Sequence, residues 1–154
     1  MKFFLLALCF LATTFSFSQS SFSEADAKGV IDTFFEGFHK GDTIQMKSVI
    51  LGNIVTQTVF ATKDGNNMVK DGMMDDFIKA IAERPEDQKW DERLLGYKVQ
   101  IDGNLAHVWT PYEFWFNGDF SHCGANAFTL AKTDDGWKIV HLIDSRRRSS
   151  CKQE

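Results

Sequence analysis

The chain has 154 residues, 44% of them hydrophobic and 14% aromatic, which suits one packed domain and excludes a disordered chain. Its 17 basic and 21 acidic residues leave a net charge of −4. That balance argues against nucleic acid as a partner, because a phosphate backbone attracts a basic surface.

Residues 1–18, MKFFLLALCFLATTFSFS, carry one early charge, an apolar run, and small residues at Ser16 and Ser18. This is the pattern of a secretory signal cleaved before Gln19, leaving residues 19–154 as a single exported domain, periplasmic or secreted. A membrane anchor is the alternative, but the run is interrupted by Thr13, Thr14 and Ser16 and falls short of the ~20 residues that span a bilayer. A lipoprotein acylated at Cys9 is a third possibility, though Cys9 lies inside the apolar run. Without Lys2 the mature chain has 16 basic residues against 21 acidic, a net charge of −5. The local exception is a basic cluster at the end, Arg146, Arg147, Arg148 and Lys152, read either as solvated charge or as an anion site.

Ser23 followed by Asp26 predicts a capping box opening a helix, with Val30, Ile31, Phe34, Phe35 and Phe38 at helical spacing and a stop at Gly41. Asp42 with Gln45 starts a second, short helix ending near Gly52. NIVTQTVFAT, a KDGNN turn and a brief return at Met68 and Val69 predict a small hairpin. A third helix follows, with Met74, Phe77, Ile78 and Ile81 on one face and a stop near Pro85. The remainder reads as four strands, ERLLGYKVQI, LAHVWTPYEFWF, FSHCGANAFTLAKT and WKIVHLIDSR, joined by DGN, NGD and DDG corners. Pro111 deprives its strand of a donor and predicts a bulge or bend there. Several strands are apolar on both faces, so the uncovered face of the sheet is expected to pair copies of the chain as a homodimer.

Chemistry is sparser. His39, His107, His122 and His141 are scattered without metal-ligand spacing, and no phosphate loop, nucleophile elbow or cofactor motif occurs. Neither metal nor cofactor is expected. With Cys9 removed, Cys123 and Cys151 remain. An even pair in an exported chain invites a disulfide, with two unrelated buried thiols as the alternative. A thiolate–imidazole pair between Cys123 and His122 is disfavoured, because strand neighbours point to opposite faces.

Three helices, an early hairpin and a long meander, together with HKGDTIQMKSVI and the final GWKIV, resemble the nuclear transport factor 2-like superfamily. That superfamily includes SnoaL-like cyclases and ketosteroid isomerases. The resemblance covers residues 24–148 and implies an α+β, cone-shaped fold, with three N-terminal helices packed on a curved antiparallel sheet around a deep pocket. SHCG at 121–124 with DSRR at 144–147 and the late cysteine is similar to an exported bacterial branch described as lumazine-binding.

Within such a cone the two-residue strand period puts Trp137, Ile139, His141 and Ile143 on one face, and Leu142, Asp144 and Arg146 on the other. The resemblance makes the His141 face the pocket wall. With Asp135 and Gly136 at the centre of the last turn, Leu130 would face His141 and Cys123 would face Arg148, close enough to Cys151 for a bridge after a small backward bend. Trp109, Tyr112, Phe114, His122, Phe128, His141, Asp144 and Arg146 are the candidate pocket residues. His141, Asp144 and Tyr112 among them are candidates for catalysis. The expected function is binding of a small aromatic or amphipathic molecule without evident catalysis. The alternatives are a cofactor-independent isomerase, cyclase or hydrolase working by acid–base chemistry, and a structural dimer.

Overall fold

Residues 22–151 are described by a computed structural model; the expected signal segment and Lys152 lie outside them. Helix α1 spans Glu24–Lys40 behind the Ser23–Asp26 capping box, α2 spans Thr43–Ser48 behind Asp42, and α3 spans Met74–Ala82. The strands are β1 (Val55–Ala61), β2 (Asn67–Met73), β3 (Trp90–Leu94), β4 (Lys98–Asp102), β5 (Leu105–Phe116), β6 (Asp119–Thr133) and β7 (Gly136–Arg147). They form one sheet in the order β2-β1-β7-β6-β5-β3, with β4 also on β5. The fold is the nuclear transport factor 2-like cone, α+β, with a curved and mostly antiparallel sheet. The early hairpin is part of this sheet, because β1 runs parallel to β7.

The helices bury one stripe each against the concave face. Ile31, Phe34 and Phe38 of α1 and Ile78 and Ile81 of α3 meet Val108, Phe128, Leu130 and Ile139 from the strands. Fully burying side chains of this size is worth about 1.5–3 kcal/mol each, so this contact holds the helices over the sheet.

Four departures from the sequence reading shape the cavity. ERLLGYKVQI is two strands rather than one, broken at 95–97 opposite Pro111. The Pro111 carbonyl accepts from Leu95 N at 2.8 Å. Its missing N–H would have pointed to the same edge, so the partner strand is interrupted there. The bulge expected at Pro111 lies instead between Phe114 and Trp115.

The last turn also differs. Thr133 pairs with Gly136, which has φ 95°. Asp134 and Asp135 form the turn, and Gly136 takes the left-handed position that a side chain would disfavour. A second slip follows inside β7, where Leu130 pairs with Ile139 but Thr129 pairs with His141, leaving Val140 unpaired. Residues beyond this bulge exchange faces, and Cys123 is opposite Arg147 rather than Arg148.

The Cys123–Cys151 bridge is present, with a Cα–Cα distance of 5.7 Å across a sequence separation of 28. It returns the end of the chain to β6. Cys151→Ser is expected to lower unfolding free energy by about 3 kcal/mol through a less constrained unfolded chain, measured by urea denaturation of the oxidised protein and the variant. An unchanged denaturation midpoint would contradict this.

Candidate functional site

Between the concave face and helices α1 and α3 lies a cavity with two lobes that share Phe77, Glu92 and Arg146. The larger lobe, about 400 Å3, is walled by Phe38, Phe77, Trp90, Phe114 and Phe116, with His122 at its side. The smaller, about 110 Å3, is reached by Phe34, Phe35, Thr58, Asn126, Leu142 and Asp144. Aromatic walls around a few convergent polar groups are the usual build of a small-molecule site.

Glu92 stands where the lobes meet. Alternation along β3 turns Trp90, Glu92 and Leu94 to the same face, opposite Phe116, Phe114 and Tyr112 of β5. The imidazole of His39 in α1 lies 3.0 Å from both the N and the O of Glu92, anchoring this edge strand to the helix layer. Asn126 on β6 donates to Glu92 Oε1 at 2.7 Å. Burial pushes the Glu92 carboxyl up to about 7, opposed by the Asn126 hydrogen bond and assisted by the charge of Asp144. This carboxyl therefore exchanges its proton near neutral pH.

Asp144 reaches the cavity because of the Val140 bulge. Its carboxylate accepts from Thr58 Oγ1 at 2.6 Å and from the Tyr112 hydroxyl at 3.1 Å, and lies 3.6 Å from Arg146 Nε. Tyr112 also approaches the Ser145 carbonyl at 3.3 Å. To span from β5 to β7 its ring crosses Gly124 of β6, where an added Cβ would stand 2.8 Å from the ring and 1.7 Å from the Ser145 oxygen. Gly124 is thus the residue that lets the Tyr112–Asp144 bond form. Burial first, and then the neighbouring Asp144 carboxylate, raises the Tyr112 phenol above its ordinary value, so it remains a donor.

His122 stacks on Phe114, with ring centres 4.9 Å apart, and its Nδ1 is 3.0 Å from Ser121 Oγ. Burial, with Arg146 and Arg148 nearby, lowers it to about 4. It is a neutral wall residue at pH 7.

Of the eight residues expected in the pocket, Tyr112, Phe114, His122, Asp144 and Arg146 come together around this cavity. Phe128 is fully buried in the core, packed edge-on to Phe34 and Phe35. Trp109 lies on the opposite face of the sheet and is 41% exposed. His141 is also on the outer side, its Nε2 3.2 Å from Gln57 Oε1, while Gln57 donates to Asp71. The face expected for His141 is therefore corrected by the unpaired Val140. Glu92 and Asn126 were missed. The Trp-Asp-Glu-Arg-Leu alternation at 90–94 was the available signal for Glu92. Nothing in the sequence pairs Asn126 with it.

Among the described residues no three His, Cys, Asp or Glu side chains converge as a metal site needs. No helix there is long and apolar enough to cross a membrane.

Residues 28–146 match the family model of the SnoaL-like domain. No curated protein matches the chain. Among solved structures it is similar to a nuclear transport factor 2-like protein of unknown function from Shewanella baltica OS155, at 15% identity and TM-score 0.56, covering 84% of this chain and 100% of that one. A superfamily protein from Salmonella enterica serovar Typhimurium LT2 is 18% identical with TM-score 0.60, covering 82% and 92%. A nuclear transport factor 2-like protein from Cytophaga hutchinsonii is 9% identical with TM-score 0.61, covering 82% and 100%. At these identities the likeness is one of fold.

The pH dependence of stability follows from the two shifted groups. Glu92 is raised from 4.5 to about 7 on folding, so its contribution is complete below pH 4.5 and is lost as pH rises through 7. His122 is lowered from 6.5 to about 4, so its contribution is present above 6.5 and lost as pH falls through 4. Glu92→Gln should therefore gain on the wild type between pH 4.5 and 7, reaching roughly 3 kcal/mol above pH 7. Denaturant unfolding at pH 5 and pH 8 measures this, and an equal difference at both would contradict it.

Proposed function

This chain belongs to the SnoaL-like domain family, and on that premise we propose that its cavity binds a small, largely apolar molecule and moves a proton on it, with Glu92 as the acid–base group. The observation that carries this reading is the placement of Glu92: a carboxyl oriented by Asn126, held near neutrality, at the junction of two aromatic-walled lobes. A general base works best when its pKa lies near the operating pH.

As carboxylate, Glu92 takes a proton from an activated carbon of the ligand. As carboxylic acid, it returns that proton at a neighbouring position. The negative charge that develops on the ligand oxygen meets the Arg146 guanidinium, whose partner Asp144 is shared with Thr58 and Tyr112. Tyr112 then acts by positioning Asp144 and, through it, Arg146. This is cofactor-independent isomerase chemistry.

Binding without turnover is the second reading. It is favoured by the Tyr112 hydroxyl, which is directed at Asp144 and the Ser145 carbonyl and leaves Arg146 and Glu92 to meet the ligand. A panel of apolar ketones, enones, aromatic acids and the flat heterocycle lumazine, screened by rise in Tm, identifies ligands under either reading. Proton NMR in D2O then follows exchange of their carbon-bound protons. Glu92→Gln is expected to slow exchange about 100-fold or more while the Tm rise is kept. Full exchange in that variant would overturn the assignment of Glu92, and ligands that bind without exchange would leave the binding reading.

We propose further that the domain is exported and pairs through its outer sheet face. The disulfide is compatible with an oxidising compartment, and Leu105 and Trp109 present exposed apolar surface on that face. Native mass spectrometry of the protein recovered after export is expected to give a dimer of chains starting at Gln19. Monomers, or chains retaining residues 1–18, would contradict one or both parts.

A further inference from the structure

Outside the cavity mouth the chain forms a second concavity of about 570 Å3 between β1, β2 and the end of β7. Thr58, Phe60, Lys70, Arg146, Arg147 and Arg148 line it. These four cations gather on a chain whose net charge is −4, and no carboxylate lines the groove.

The cations are brought there by the fold. Lys70 of β2 is opposite Thr58 of β1, and Arg146 of β7 is opposite Phe60, so three strands contribute to one rim. The tail is held closed by two ties, Arg147 Nε donating to the Ser150 carbonyl at 3.1 Å and the Cys123–Cys151 bridge. Arg148 and Ser149, between those ties, are thereby kept against the groove. Among the described residues neither Lys70 nor Arg148 is in an ion pair, whereas Arg146 lies 3.6 Å from Asp144.

Arg146 lines the groove and both lobes of the cavity. A molecule whose apolar body lies among Phe38, Phe77, Trp90 and Phe114 therefore has a cationic exit for one end. We propose that the groove is an anion subsite that receives the carboxylate or phosphate head of an amphipathic acid whose apolar body occupies the aromatic lobe. This rests on the cavity being a small-molecule site and names the class of molecule it takes. Guanidinium groups suit such heads because they match two oxygens at once.

Two titrations separate the groove from the cavity. Inorganic phosphate added to 15N-labelled protein is expected to shift backbone amides at 58–61, 70 and 146–149, and these shifts should disappear in Lys70→Gln/Arg148→Gln, a surface variant that leaves the core intact. Calorimetry with decanoate and decanol is expected to show decanoate binding about tenfold tighter, with the preference lost in the double variant and decanol affinity unchanged. Phosphate shifts without binding of either decanoate or decanol would overturn the cavity reading and, with it, the amphipathic occupant, leaving only a plain anion groove. Absence of phosphate shifts, or equal affinity for the two chains, would overturn the groove itself. Binding to phosphatidylglycerol vesicles without binding of free decanoate would also overturn it, since the cations would then serve a membrane surface.

Discussion

Val140 faces no residue of β6, and that one unpaired position turns the second half of the last strand over. Before it, Trp137 and Ile139 pack under the helices; beyond it, Leu142, Asp144 and Arg146 look into the cone. Without the bulge, strict alternation would direct His141 inward and place Asp144 and Arg146 outside. The polar half of the cavity, including its hydrogen bonds from Thr58 and Tyr112, depends on this shift.

The cavity is thereby built from groups whose charges nearly cancel. Asp144 and Arg146 offset one another, His122 is neutral by burial, and Glu92 changes state close to pH 7. A buried site tolerates a carboxyl only when it is hydrogen-bonded or protonated. Glu92 meets the first condition through Asn126 and the second below about pH 7. Asp144, with two donors and a cation beside it, meets the first more fully. Two carboxyls a few strands apart are thus given different roles by their surroundings.

Much of the architecture was legible in the chain. Ser23, Asp42 and the Gly-containing corners marked where elements begin and end, and the strand alternation reported which residues share a face wherever the ladder is regular. The site was less legible because its geometry is set where the ladder is irregular. WKIVHLIDS gives no sign that Val140 will be skipped, and the DDG corner admits two turn geometries that differ by one residue. Tyr112 and Asp144 were identifiable as polar groups among aromatics, but their bond over Gly124 joins strands far apart in sequence. Glu92 was hidden by starting its strand at the glutamate itself, when Trp90 two residues earlier fixes the inward face.

The parallel pairing of β1 with β7 has a kinetic meaning as well. Thr56 finds its partner at Leu142 and Phe60 at Arg146, so the first strand in the chain is completed only by the last. Contacts this distant in sequence must close a long loop before they contribute anything, and chains rich in them fold slowly. Emerging residues 55–73 can form their local hairpin and touch α3, but their sheet partner is missing until β7 arrives. The cavity is therefore complete only with β7, which supplies Leu142, Asp144 and Arg146, and a fragment lacking the final strand would expose the aromatic wall of the cone rather than retain half of a working site.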